Sequence, residues 1–299
     1  MSEQNLKERL RNEKALALVC SADEAANLIQ DGMSVGISGF TNAGYPKAVP
    51  HALAEQAKAG RKVKIDLYSG ASVGPEVDTE LTEAGVIGKR IPYQTNSVLR
   101  KSINAGDVGY IDMHLGRSPE FVAAGHVRKP DIALVEALAI TENGDLVPTT
   151  SVGNTPAYVA EADAVIVEIA MAKPLELEGM ADVYMCEKPP LRQPIPLTHP
   201  GERIGTPYIK CGWDKIKAIV LSDKSDLTRP LAAISEDSKK IGENIIKFLE
   251  NEVAEGRLGK SLLPIQSGVG SVANAVLYGL RDSEFENLTC YTEVIQDSM

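Results

Sequence analysis

Three groups of residues in this 299-residue chain have the types and spacing to do chemistry. The first is Gly268-Val-Gly-Ser-Val-Ala273, set between an apolar run and a helical pattern. Glycines let a backbone approach a ligand closely, and a helix N-terminus offers free N–H groups to an anion. The spacing matches G-x-G-x-x-A, the dinucleotide fingerprint, and Glu293 follows at about the 20 or so residues that the fingerprint expects of its acid. An NAD-dependent dehydrogenase would use both features; a tight strand–helix turn that merely packs has the same sequence. The second group, Gly70-Ala-Ser-Val-Gly74, fits G-x-S-x-G, the nucleophile elbow of α/β-hydrolases, with His114, His126 and His199 available as partners. Pro75 follows it at once and no H-G-G-G loop precedes it, so a Gly-rich strand end or a substrate-binding turn competes with the elbow. The third is Tyr291-Thr-Glu-Val294, a carboxylate in an apolar, β-prone run. In an extended segment Tyr291, Glu293 and Ile295 share one face. Such a glutamate is ordinarily an edge-strand surface residue. At a buried strand end beside Gly-rich loops it is a candidate nucleophile or base.

The composition limits what these groups can serve. Thirty-one basic against 41 acidic residues gives a net charge of −10, which argues against a wholly basic nucleic-acid surface. Hydrophobic residues at 43% and charged residues at 24% describe an ordinary globular chain. No apolar run approaches the roughly 20 residues that span a bilayer. Met1 to Lys14 is charged and mixed in sign, without the apolar centre of a signal peptide, so a cytoplasmic location is expected. Cys20, Cys186, Cys211 and Cys290 are scattered with no C-x-x-C, and none of the four histidines lies in H-E-x-x-H. Neither a zinc site nor a disulfide framework is supported, and no metal is expected. His51 and His114 read as structural, Cys290 as a packed thiol, and Glu80 to Glu83 as a solvated helix face.

The elements that must carry these groups alternate between strands and helices. Ser21-Ala-Asp-Glu24 is a capping box that opens a helix ending near Gly32. Met33–Ser38 reads as a strand running into the turn-rich loop Gly39 to Pro46, and Lys47–Lys58 as a helix with Pro50 confined to its first turn. Lys62–Tyr68, Val108–Met113, Ile132–Ile140, Ala164–Ile169 and Lys217–Leu221 read as strands, with helices over Ser97–Asn104 and Ala157–Ala162. This order predicts a mostly parallel sheet covered on both faces, with active-site loops at the strands' carboxyl ends. A Pro-rich connection occupies Lys188 to Pro207. Beyond it Ile241, Ile245, Phe248 and Leu249 mark one face of a helix that ends before Gly256. Ser261–Gln266 and Leu288–Ile295 read as strands flanking a helix over Ser271–Leu280. The division expected is a domain at 1–222 and the beginning of a second at 223–299.

Six separated segments, in order, resemble the acetyl-CoA hydrolase/transferase family of class I CoA-transferases, in particular its succinyl-CoA:acetate type. They are Gly39–Lys47, Pro92–Asn96, Asp112–Leu115, Leu175–Asp182, Gln266–Val276 and Tyr291–Asp297. The resemblance implies an α/β fold of two related, mostly parallel sheet domains, the second incomplete, because family members continue well beyond this point. It implies transfer of CoA between an acyl-CoA and a small carboxylate through a glutamyl-CoA thioester. Acetyl-CoA hydrolysis is the alternative within the family, and a non-catalytic acyl-CoA-binding module the alternative outside catalysis. CoA enters as a substrate, with no permanently bound cofactor. Carried over, Glu293 is the catalytic glutamate and the N–H of Val269 an oxyanion donor. Gly268, Val269, Gly270, Ser271 and Val272 form a CoA-binding segment. Ser72, Thr95 and Asn96 are pocket positions for the small carboxylate, with Arg229 as its cation. A homo-oligomer, a dimer, is expected, with no nucleic-acid or membrane partner.

Overall fold

The computed structural model describes residues 3–71, 73–228 and 230–299. The chain divides into two compact units, Met1–Ile195 with Arg203–Thr228, and Pro196–Glu202 with Arg229–Met299. Relative to the expected division after residue 222, the second unit begins later and also takes Pro196–Glu202 from the Pro-rich connection.

The first unit is built on seven strands: β1 (Ser34–Gly36), β2 (Ile65–Tyr68), β3 (Ile87–Ile91), β4 (Gly109–Tyr110), β5 (Ile132–Ala137), β8 (Ala164–Ala170) and β9 (Ile216–Ser222). A separate antiparallel pair, β6 (Ala139–Ile140) and β7 (Leu146–Val147), follows β5. The sheet order is β4-β3-β2-β1-β5-β8-β9 and every pairing in it is parallel. Strand order reverses between β1 and β5, which makes their carboxyl ends the crevice where α/β sheets take ligands. β5 and β8 are buried along nearly their whole length and read as continuous apolar runs, each interrupted by one glutamate, Glu136 and Glu168. These two glutamates are register partners.

The helices follow local signals. Ser21 and Glu24 form the capping box on Ala22–Ala26. The helix Ala48–Lys58 keeps Pro50 in its first turn and buries Val49, Leu53 and Ala54 against the sheet. The acidic run at Glu80 to Glu83 differs from its expected solvated face. Leu81 and Thr82 are buried, and His51 Nδ1 lies 2.6 Å from Glu80 Oε2. A π-helical turn, Glu76–Glu80, leads into this run, and Glu83 remains exposed.

In the second unit the helix Glu236–Ala254 packs on Ser271–Arg281, and its buried stripe is Ser238, Gly242 and Ile246. The expected stripe is displaced: Ile241 and Phe248 are 44% and 61% exposed. Small residues decide this. A Cβ on Gly242 would meet Ala275 O at 2.9 Å, and one on Gly279 would meet Ile246 Cγ1 at 2.7 Å, so the two backbones approach where side chains are absent. The strands expected at Ser261–Gln266 and Leu288–Ile295 reduce to a single parallel bridge, Ile265 to Cys290. Pro264 lacks an N–H, and Leu262 and Asn287 sit at φ 54° and 53°, so neither segment stays extended long enough for a ladder. Among the described residues no helix is long and apolar enough to cross a membrane.

Candidate active site

In the second unit, Gly268–Ser271 forms the turn into the helix Ser271–Arg281. Gly270 occupies the N-cap position at φ 131°, a conformation that favours glycine, and supplies no side-chain cap. The first intrahelical bond there runs from Asn274 N to Gly270 O at 3.0 Å. The earlier N–H groups of the turn, including those of Val269, Ser271 and Val272, have no acceptor among the described residues. Val269 is 67% exposed.

The Tyr291–Asp297 segment lies along this loop. Its exposure alternates, so Tyr291, Glu293 and Ile295 turn outward together, as the extended spacing predicts. Thr292, pointing the other way, is the tie. Its Oγ1 lies 3.0 Å from Ser267 O and 3.2 Å from Val294 O, and Ser267 N approaches it at 3.4 Å. Gln296 Nε2 donates to Gly268 O at 3.1 Å, and Ser298 Oγ to Asn274 Oδ1 at 3.2 Å. The exposed Glu293 carboxylate is thus carried on a segment stapled before and after it to the Gly268 loop. The dinucleotide-type context, two paired strands around that loop, is limited to the one Ile265–Cys290 bridge.

In the first unit the carboxyl ends of β1, β5, β8 and β9 meet over a closed ring of four buried charges. Lys47 Nζ lies 2.5 Å from Glu136 and 2.8 Å from Asp226; Lys173 Nζ lies 2.5 Å from Glu136 and 2.7 Å from Asp226. Each ion touches two of opposite sign. Thr149 donates to Glu136 and Thr150 to Asp226, each at 2.7 Å, and Lys47 Nζ also donates to Tyr45 O at 2.7 Å. Burial opposes the charged form of Lys47, but Glu136 and Asp226 outweigh it and hold its pKa above the ordinary lysine value. Burial likewise opposes the charge on Asp226, and Lys173 and Lys47 overcome it and hold its pKa below the ordinary aspartate value. The ring and, beside it, Glu76 fix the Gly39–Lys47 loop: Gly44 N donates to Asp226 at 3.2 Å, and Tyr45 OH donates to Glu76 at 2.7 Å.

Glu168 completes this floor. Its carboxylate accepts the N–H groups of Lys47, Ala48 and Val49 at 2.8–3.2 Å and so caps the helix Ala48–Lys58, whose N-cap residue Lys47 gives no side-chain bond. Glu168→Gln turns an amide NH2 toward N–H groups and removes a negative charge from a helix N-terminus. We expect it to cost about 1–3 kcal/mol, read as a lower urea midpoint. An unchanged midpoint would contradict the capping role.

Of the sequence-derived pocket positions, Ser72 and Arg229 lie outside the described residues. Thr95 is exposed. Asn96 caps the helix Ser97–Ala105: its Oδ1 accepts from Val98 N at 2.9 Å and Leu99 N at 3.0 Å, and its Nδ2 donates to Thr79 Oγ1 at 2.7 Å. Its oxygen is therefore committed to the backbone. The ring and Glu168 are absent from the sequence-derived site. Their signal was present: one glutamate in each of two otherwise apolar strand runs. Among the described residues no group of three or more His, Cys, Asp or Glu is placed to hold a metal ion.

The family model of the acetyl-CoA hydrolase/transferase N-terminal domain matches residues 3–241. The chain belongs to the acetyl-CoA hydrolase/transferase family. It is 55% identical over 292 residues to a succinyl-CoA:acetate CoA-transferase of Clostridium kluyveri, covering 97% of this chain and 54% of that protein. The chain spans about half the length of the curated relatives it matches. Among solved structures it resembles RipA from Yersinia pestis, with a TM-score of 0.66 at 17% identity, over 99% of this chain and 58% of that one. It also resembles a 4-hydroxybutyrate CoA-transferase from Porphyromonas gingivalis, with a TM-score of 0.56 at 17% identity, over 99% and 57%. These likenesses identify the CoA-transferase-like α/β fold.

Proposed function

We propose that the protein carrying this chain transfers CoA between an acyl-CoA and a small carboxylate, with Glu293 as the covalent nucleophile. One observation carries the reading: an exposed carboxylate stapled through Thr292 to a loop whose N–H groups are unused. A Glu293 oxygen attacks the thioester carbonyl of acyl-CoA, the C–S bond breaks, and an acyl-glutamyl anhydride and CoA thiolate result. The thiolate attacks the glutamyl carbonyl and expels the first acid, leaving glutamyl-CoA. A second carboxylate attacks that thioester, and the returning thiolate takes the new acyl group and frees Glu293. Covalent catalysis divides one hard exchange into easier steps. Each tetrahedral intermediate puts charge on oxygen, to which the Val269 N–H is suited to donate a hydrogen bond. Losing one good oxyanion donor typically costs about 2.7–4 kcal/mol of barrier.

In this reading Gly268 to Val272 hold CoA, and Ser72, Thr95, Asn96 and Arg229 receive the small carboxylate. The protein works in the cytoplasm as a homodimer. The four free cysteines fit a reducing compartment, and sedimentation of the purified protein reads the assembly. The hydrolase alternative is the same anhydride or thioester meeting water. Incubation with succinyl-CoA and acetate distinguishes them: formation of acetyl-CoA supports transfer, and release of free CoA without acetyl-CoA assigns hydrolysis. Binding of CoA without either product would contradict the catalytic reading.

Thr292 is a positioning residue. Thr292→Val keeps the shape and removes the hydroxyl tie. We expect kcat to fall about 10- to 100-fold, as for misplacement of a reacting group on the ångström scale, with KM little changed and Thr292→Ser restoring most of the rate. Equal loss in the valine and serine variants would contradict the role of the hydroxyl.

A further inference from the structure

Among the described residues of the second unit, two polar side chains are buried, Ser238 and Asn274. Both are spent on the start of the helix Ser271–Arg281. Ser238 Oγ donates to Ser271 Oγ at 3.0 Å. Asn274, in the first turn of that helix and 1% exposed, joins two segments distant in sequence. Its Nδ2 donates to Ala232 O at 2.9 Å, 42 residues earlier, and its Oδ1 accepts from Ser298 Oγ at 3.2 Å, 24 residues later. A carbonyl can only accept, so the Ala232 bond fixes which way the amide faces and turns its oxygen toward Ser298.

The surroundings of the Gly268 loop give this tie its weight. A Cβ on Gly268 or on Gly270 would meet nothing within 4 Å, so packing at these glycines does not hold the loop. Thr292 and Gln296 bond Ser267 O and Gly268 O, which belong to the loop itself. They fix the Glu293 segment to the loop, and a shift of the loop carries that segment along. The bond from Ser298 to Asn274 instead refers the segment to the helix. It runs through a buried side chain whose own backbone N–H closes the first helical turn on Gly270 O at 3.0 Å. The unused N–H groups of Ser271 and Val272 point along the helix axis, so the same amide refers the carboxylate to them.

We infer that Asn274 is a positioning residue for the carboxylate of Glu293, acting through Ser298. Its amide holds the segment that carries Glu293 in register with the first turn of the helix, so that the carboxylate and the oxyanion-stabilising N–H groups serve one reacting carbonyl. Neither Asn274 nor Ser298 takes part in the bond-making steps. The inference rests on the transfer reading, in which Glu293 is the nucleophile. Loss of the amide leaves Ala232 O and the Ser298 hydroxyl without their partner; loss of the Ser298 hydroxyl frees the Glu293 segment alone. Displacing a reacting group by about 1 Å costs up to about 100-fold in rate. An interaction that matters only as the transition state forms lowers kcat and leaves KM in place.

The test compares wild type, Asn274→Ala, Ser298→Ala, Ser298→Thr and the double alanine variant in CoA transfer from succinyl-CoA to acetate. We expect kcat to fall about tenfold or more in Asn274→Ala and about threefold or more in Ser298→Ala, with KM for both substrates within about twofold of wild type. Ser298→Thr keeps the hydroxyl and most of the rate. The double variant is no slower than Asn274→Ala, because both substitutions break one bond. Ser298→Ala leaves the Ala232 bond intact, so it decides the question where Asn274→Ala does not fold. A Ser298→Ala protein with wild-type kcat, or an equal loss in Ser298→Ala and Ser298→Thr, overturns the inference. If wild type transfers no CoA, the transfer reading has failed, and digestion with a glutamate-specific protease reads the tie by itself. Faster cleavage after Glu293 in Ser298→Ala than in wild type supports it, and equal cleavage overturns it.

Discussion

We expect Glu293→Ala to abolish CoA transfer, lowering kcat by roughly a thousandfold or more, as when the covalent nucleophile of a mechanism is removed. Glu293→Gln is expected to behave the same way, because the amide keeps the shape but its uncharged oxygen is far too weak a nucleophile. Neither variant is expected to unfold the protein. Glu293 is exposed, and its neighbours are held by Thr292 and Gln296 rather than by its own side chain. Glu293→Asp keeps the charge but withdraws it by one methylene, and falls between these limits. The check is acetyl-CoA formation from succinyl-CoA and acetate, with an unfolding midpoint measured beside each rate. A Glu293→Ala protein that keeps more than a small fraction of wild-type rate would remove the nucleophile from the account.

Lys47→Met is the largest expected effect on stability. Lys47 is fully buried and its ammonium meets Glu136, Asp226 and Tyr45 O, so the variant strands charge in the core. Removing one partner of a buried ion pair costs about 3–5 kcal/mol. Lys47→Met with Glu136→Leu leaves the Lys173–Asp226 pair, 2.7 Å apart, as a neutral remnant. The double variant is therefore expected to recover part of that loss, so the two substitutions are strongly non-additive. Urea midpoints of the four proteins in the cycle decide it; a Lys47→Met protein as stable as wild type would contradict the ring as a closed unit. The acid side follows from Asp226. Its folded pKa lies below the unfolded value, so its contribution is present above the unfolded aspartate pKa of about 3.9 and is lost as pH falls through the folded value. Lys47, raised above its ordinary value, keeps its contribution at all lower pH and loses it only as pH rises through that higher value.

The sheet was legible because β5 and β8 are apolar on both faces, and the helix Ala48–Lys58 because Pro50 is tolerated only in a first turn. The extended face of Tyr291, Glu293 and Ile295 was legible from period-two alternation alone. The terminal strands were not, because β-prone composition does not reveal that φ is positive at Leu262 and Asn287. The stripe on Glu236–Ala254 misled for a related reason: close backbone approach at Gly242 and Gly279 outweighed the larger side chains of Ile241 and Phe248. The charge ring escaped because its members come from positions 47, 136, 173 and 226, and their meeting depends on which strands are neighbours. Reasoning applied to Glu293, a lone carboxylate in an apolar run, applies equally to Glu136 and Glu168 and finds both.

In the proposed mechanism CoA becomes covalently attached to the protein at Glu293. Incubating the protein with succinyl-CoA and no acceptor acid, then digesting it under mildly acidic conditions, allows mass spectrometry to read the peptide that contains Tyr291 to Asp297. Succinate is expected to be released in proportion to protein, with CoA carried on Glu293 and absent from the Glu293→Gln protein. Transfer activity with no CoA on this peptide, or with CoA attached at another residue, would contradict it.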